Sequence, residues 1–196
     1  KKFREAACKK WIDVRAFGQV FAYEGEKKGE GVSIGIRGPV SIHSAFSVAP
    51  VLERISSIQI TKSVSSEGDG TKRSSDTMGM KHRVDHGVYV FYGSMNPQLA
   101  SKTGFSDEDA EAIKKVLCNL FENDASSARP EGSMEVYKVY WWKHNCKNGQ
   151  YSSAKVHRSL KVEVKPGVDF PEDIERDYDI TLQPLPDLIP EIIPGR

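Results

Sequence analysis

The chain is poor in the features that would make it a membrane, secreted or hydrolytic protein. No run of apolar residues approaches the ~20 needed to cross a bilayer, and no basic-then-apolar-then-small leader stands at the N-terminus. There are only three cysteines, Cys8, Cys118 and Cys146, odd in number, far apart and without a CxxC pair. That usage points to reduced thiols and a cytoplasmic setting, not to a disulfide framework or a zinc ribbon. GxSxG, HExxH and P-loop patterns are all missing, which removes the commonest nucleophile, zinc-peptidase and nucleotide readings. A large charge of one sign is missing too: the formal net charge is +1 over 196 residues. A polyanion would therefore have to be met by a local patch, not by the whole surface.

What remains suits one domain with insertions, or at most two small ones: 38% of residues are hydrophobic, enough for a core. The chain opens on KKFREAACKKWID rather than on Met, which leads to the expectation that an N-terminal portion, including a first strand, is missing. Lys1 to Phe21 reads as one amphipathic helix, with Phe3, Ala7, Trp11, Val14, Phe17 and Phe21 on a stripe and Gly18 weakening or ending it. Val32 to Val51 reads as extended, interrupted at Gly35, Gly38 and Pro39. Phe105 to Glu122 is the clearest helix. Ser106 followed by Asp109 forms a capping pattern, and Ile113, Val116, Leu117, Leu120 and Phe121 form its apolar stripe. Met134 to Trp142, Ala154 to Val164 and Asp179 to Leu182 read as strands. The Pro-rich tail over 183–196 reads as extended and available to another chain.

The most informative stretch lies between Gly31 and Gly93. Two strand-like flanks enclose the polar insert SVSSEGDGTKRSSDTMGMKHRVD. So long an irregular connection is uncommon in a compact domain unless it is functional or disordered. Ile58 to Val64 reads as the ascending arm of a long hairpin and Lys81 to Tyr92 as the descending arm, with a mobile tip at SEGDGTKRSSD. Lys62, Lys72, Arg73, Lys81 and Arg83 give this arm cations suited to phosphates. Met78 and Met80 are apolar wedges that could pack on an unstacked base. A disordered surface loop or a protein–protein contact fits the same residues.

Other candidate chemistry is weak. His82 and His86 sit four apart with Asp85 between them, but on a strand that spacing does not converge on a metal, and no Cys or Glu completes a set. Asp169, Glu172, Asp173, Glu175 and Asp177 form an acidic stretch that could bind Mg²⁺, with a solvated loop as the default. GVYVFYG only loosely matches the aromatic strand of an RNA recognition motif, and its rings read better as core. No catalytic group, metal site or cofactor is assigned.

The element order fits an α+β fold with an antiparallel sheet and helices on one face. A strand in front of Lys1 would make it βαββαβ, the ferredoxin-like or RNA-recognition-motif arrangement. DVRAFG (13–18), IRGPVSIHSAFSVAPV (36–51), DTMGMKHRVDHGVYV (76–90) and KTGFSDEDAEA (102–112) together resemble the backbone subunit of type I-C CRISPR Cascade, of the RAMP superfamily. The resemblance runs from about Trp11 to Val164. It implies a modified RNA-recognition fold whose inserted hairpin, residues 57–87, is a thumb. It also implies copies of the chain stacked as a filament along one CRISPR RNA, kinking it at intervals so that the bases between pair with target DNA, alongside other Cascade subunits. Such a subunit is not a nuclease. One departure is the missing first strand with its Asn-, Gly- and Asp-rich loop, which would leave a sheet edge open.

On this resemblance, with position and charge, Lys9, Arg15, Lys62, Arg73, Lys81 and Arg83 are assigned to phosphates. His43 and Ser44 are assigned to the sugar–phosphate path, and Met78 and Met80 to the kink. Arg37 is open between an RNA contact and a structural residue of its strand. Two alternatives stand beside this reading: a metal-dependent ribonuclease of the same superfamily using Asp13 or Asp76, and a scaffold that binds only other subunits.

Overall fold

In a computed structural model, residues 2–23, 31–62, 77–126 and 129–196 are described. The chain begins with α1 (Lys2–Lys10), α2 (Ile12–Phe17), β1 (Gly18–Tyr23), β2 (Val32–Arg37), β3 (Val40–Ile42) and β4 (Phe46–Ser47). It continues through β5 (Ile55–Lys62), β6 (Thr77–Val84), β7 (Tyr89–Val90), β8 (Gly93–Met95), α3 (Pro97–Thr103) and α4 (Asp107–Cys118). It ends with β9 (Lys138–Trp141), α5 (Ser153–Ser159), β10 (Leu160–Val164), α6 (Ile174–Asp177), β11 (Tyr178–Leu182) and β12 (Glu191–Pro194). The α+β class is as expected. The expected single sheet is not what the described strands form: they pair two by two, as β1–β2, β3–β8, β4–β7, β5–β6, β9–β12 and β10–β11. Short strands and irregular links explain this, since Gly38 and Pro39 part β2 from β3 and residues 43–45 part β3 from β4.

Two compact units are recognised. The first comprises Lys1–Ser44, Phe91–Leu160 and Thr181–Arg196. Its core is Ala7, Cys8 and Val14, with Phe21 and Ile36 packed against them. The predicted single helix over 1–21 is two helices and a strand. It breaks at Trp11, whose backbone is extended (φ −119°, ψ 123°). It ends at Gly18, which adopts φ 86° and ψ 173°, a region open almost only to glycine. Beyond Gly18, antiparallel pairing with β2 takes over, from Gly18↔Arg37 to Tyr23↔Val32, so Phe21 belongs to a strand. Phe3, Trp11 and Phe17 are 36–51% exposed instead of lining the core.

Asn96 caps α3, accepting from the amides of Gln98 (2.9 Å) and Leu99 (3.2 Å), with Pro97 at the first helical position. Gly104 ends α3 in the left-handed conformation. The Ser106 capping box on α4 is as predicted. That helix stops at Cys118, however, and Val116 and Leu120 are 60% and 39% exposed, so they are not part of a buried stripe. The predicted strand over 134–142 is confined to Lys138–Trp141. The predicted strand over 154–164 is half helix: Ser152 caps α5 by accepting from the Lys155 amide at 3.3 Å, and only Leu160–Val164 is extended. The tail binds its own chain. β12 pairs with β9, from Glu191↔Trp141 to Pro194↔Lys138, and Leu188 is buried.

The second unit comprises Ala45–Val90 and Lys161–Ile180. Its main feature is the β5–β6 ribbon, paired from Ile55↔Val84 to Lys62↔Thr77. Both strands therefore start or end a few residues away from the predicted arms. Beside it, Arg54 donates to the carbonyl of Pro171 at 2.8 Å and lies 5.6 Å from the Phe170 ring. Asp177, one of the acidic stretch read as a solvated loop, is buried. It accepts from Arg176 through both guanidinium contacts, at 2.6 and 2.7 Å, and from the amides of Glu172 and Asp173. Those donors hold its carboxyl far below the ordinary carboxylate range.

Candidate nucleic-acid interface

In the first unit, three segments distant in sequence converge on one cleft of about 1020 Å³. Arg15 comes from 13–18, Ile36 and Arg37 from 36–51, and Lys102, Gly104, Ser106 and Asp109 from 102–112. Two glycines allow the first two segments to touch. A Cβ on Gly38 would lie 2.1 Å from the Ala16 carbonyl oxygen, and one on Gly18 would lie 2.2 Å from that of Ile36. Any side chain there would push the backbones apart.

Arg15 ties the third segment in. Its Nε donates to Asp109 Oδ2 at 2.7 Å and its Nη2 to Oδ1 at 2.6 Å. The same carboxylate accepts from the Ser106 amide at 3.1 Å, closing the capping box. Arg15, above all, together with this amide, holds the Asp109 carboxyl below the usual carboxylate range, against the opposing effect of burial. The Arg15 guanidinium is raised in turn, first by its bond to Asp109. Arg15 is thus committed to an internal ion pair, and its third contact is Nη1 to the Cys8 carbonyl at 3.4 Å.

Around this pair stand Arg4, Lys9, Arg37 and Lys102. All four are exposed. None of their side chains has an ion pair or hydrogen bond among the described residues, and Glu5 is the one further acid on the cleft wall. Lys9 was expected in such a place. Arg37 takes a position on the wall instead of serving only its strand. Arg4 and Lys102 were missed. Lys102 sat inside a quoted motif, and Arg4 lies five residues before Lys9 on α1, so both carried a signal that needed the fold to interpret.

The second candidate surface is the β5–β6 ribbon. Alternation puts Lys81 and Arg83 on one face with Ser56 and Ile58, and Met80 and His82 on the other with Ser57 and Gln59. Met80 is 56% exposed. Arg83 Nε donates to Asp85 Oδ1 at 2.8 Å, and the Ser56 hydroxyl donates to the other carboxylate oxygen. The hydroxyl first, then Arg83, lowers the Asp85 carboxyl. His82 Nδ1 is 2.6 Å from the Ser57 hydroxyl. Lys62 and Met78 belong to the ladder by their backbones, opposite Thr77 and Thr61. Arg73, Asp76 and the expected hairpin tip fall outside the described residues.

His43 and Ser44 are exposed at the end of β3. The His43 ring stands edge-on to His157, with centroids 5.5 Å apart, and His157 stacks on Tyr92 at 4.6 Å. Burial, with a lesser effect of His43, keeps the His157 imidazole below its ordinary pKa. Asp13 is exposed on α2, and no group of three or more metal-ligating side chains occurs among the described residues. What the cleft can do is bind an extended anion: it offers several cations without built-in counter-ions, on a wall fixed from within by one ion pair.

No curated protein matches the chain. Residues 1–183 match the family described as CRISPR-associated protein Cas7, which covers all the cleft-lining residues and the β5–β6 ribbon. That match spans nearly the whole sequence, and the chain belongs to the Cas7 family of CRISPR-associated proteins.

Proposed function

We propose that this chain is the CRISPR-RNA-binding backbone subunit of a type I-C Cascade-like complex. Family membership suggests the role of RNA-binding backbone subunit. The observation that carries the reading further is the cleft, where Arg4, Lys9, Arg37 and Lys102 lack protein partners among the described residues and the motif segments converge. Cations on long side chains grip phosphates and sugars without reading base edges. A guide must vary in sequence, so its carrier should hold the backbone and leave selection of target DNA to base pairing. In this reading Lys9, Arg4, Arg37 and Lys102 meet phosphates, while Arg15 positions the wall they stand on. His43 and Ser44 follow the sugar–phosphate path. The β5–β6 ribbon is the thumb, with Lys62, Lys81 and Arg83, and Arg73 beyond them, on phosphates, and with Met78 and Met80 at a kink in the guide.

Copies of the chain stack along one guide in the cytoplasm, with other Cascade subunits at the ends. The subunit binds and presents RNA and does not cut it. The ferredoxin-like arrangement belongs to the same proposal, since the described strands form pairs that such a sheet could join. The test is to express the protein with its partner subunits and a CRISPR array, then extract nucleic acid from the purified complex at moderate salt. A discrete guide-length RNA, protected from added ribonuclease at regular intervals, is the expected result. Complexes that assemble normally yet carry no RNA would refute the reading in favour of a scaffold.

A further inference from the structure

Apart from the residues it gives to the cleft, α1 together with Trp11 and β1 presents a cluster of aromatic rings. The Phe3 ring lies 5.0 Å from Phe21 and 5.8 Å from Tyr23, and Trp11 lies 6.5 Å from Phe21. Phe3, Trp11 and Tyr23 are 36%, 42% and 49% exposed. So many large rings left side by side in water mark a contact surface more often than chance. The rim is basic. Lys10 Nζ sits 4.8 Å from the Trp11 ring centre, and Lys2 precedes Phe3; both lysines are exposed and neither has an ion pair among the described residues.

The second unit carries a surface of opposite character. Phe170 is 59% exposed. Asp169, Glu175 and Asp179 on the same segment are exposed, and their carboxylates have no ion pair or hydrogen bond among the described residues. The neighbouring acids are engaged: Glu172 lies 3.8 Å from Arg54, and Asp173 caps α6. One surface is aromatic with a basic rim, and the other is an acidic segment with an exposed ring, Phe170, that lies against Arg54. The two complement each other in charge, and both are carried by every copy of the chain.

We propose that the Phe3–Trp11–Tyr23 surface of one copy docks on the Phe170 segment of a second copy. Because the contact joins two different surfaces, each copy can use one surface towards one neighbour and the other towards the next, the head-to-tail arrangement an array requires. This inference rests on the filament reading above and names the surfaces that make it.

The experiment uses three exposed charge-reversal variants: Lys2→Glu with Lys10→Glu, Asp169→Lys with Glu175→Lys, and all four together. None of these residues lines the cleft. The number of copies on guide-length RNA is read by sedimentation, and binding of one copy is read on a short oligonucleotide. Each pair alone should raise the concentration needed for assembly on the order of tenfold or more, with short-RNA affinity little changed, and the four-fold variant should recover assembly. Trp11→Ala should also weaken assembly, without recovery by the acidic-side reversal.

Variants that assemble like the parent, or a four-fold variant no better than the pairs, would overturn the contact. A parent protein that binds RNA only as single copies would overturn the contact and leave the RNA reading standing. A parent that forms the array with the same rescue pattern yet binds neither guide-length nor short RNA would support the contact and refute the RNA reading.

Discussion

The cleft and the β5–β6 ribbon differ in what holds them. The cleft wall is fixed by burial, by backbone contact at Gly18 and Gly38, and by the Arg15–Asp109 pair, with Asp109 only 7% exposed. The ribbon is a two-stranded ladder whose Ile58, Met80 and Val84 are 55%, 56% and 38% exposed. An isolated pair of strands is marginal in water. The cleft thus stands on a wall held from within by packing and an ion pair, while the ribbon rests on its own ladder with apolar side chains left half-exposed.

The largest effect should come from filling the glycine contact. Gly38→Val puts a side chain onto the Ala16 carbonyl and should cost about 4 kcal/mol or more in chemical denaturation. Gly35→Ala, on the same segment, meets nothing within 4 Å and should leave stability nearly unchanged. Equal losses from the two would break the claim that close backbone approach shapes the cleft.

Next comes the ion pair. Arg15→Ala strands a buried carboxylate and should cost about 3 kcal/mol. In the ribbon, Arg83→Ala should not move the denaturation midpoint measurably, because that side chain is 71% exposed. The pH dependence sharpens this. Asp109 has a lowered pKa in the folded state, so its contribution is present above the unfolded carboxylate pKa, about 3.9, and is lost as pH falls towards the folded value. Arg15→Ala should flatten the acid limb of a stability–pH curve.

The binding prediction is more modest. Lys9→Ala and Arg37→Ala should each weaken RNA binding alike for all sequences and lower the salt slope by about 0.7 per lost contact, with melting unchanged. The smallest effect concerns His157. Its folded pKa is depressed, so the unfolded chain takes up a proton first and stability declines as pH falls below about 6.5. His157→Gln should remove that part of the decline in a thermal-melt series from neutral to mildly acidic pH.

Local chemistry was the most legible part of the sequence. Ser106 and Asp109 announced the start of α4, and Gly18 the end of α2, because caps and breakers act within a few residues. The α+β class and a ribbon in the right stretch could also be read there. What the sequence hid depends on long-range packing. The apolar spacing of Phe3, Trp11 and Phe17 implied burial, yet pairing of β1 with β2 turned the chain and left those rings exposed. Val156 looked like a strand residue until Ser152 capped a helix around it. The tail over 183–196 read as open because nothing local shows that β9 lies alongside it. At the site, charge and position pointed to Lys9, but Arg15 looked like another phosphate ligand. Only the fold brings Asp109 to it across 94 positions and shows Arg4 and Lys102 on the same wall.

The most direct test is a salt titration of RNA binding by the parent protein and the Lys9→Ala/Arg37→Ala variant, on two guides of unrelated sequence. The expected result is equal affinity for both guides at every salt concentration, and a slope about 1.4 units shallower in the variant. A variant indistinguishable from the parent, or one that loses affinity for one guide and not the other, would contradict a cleft that grips the RNA backbone.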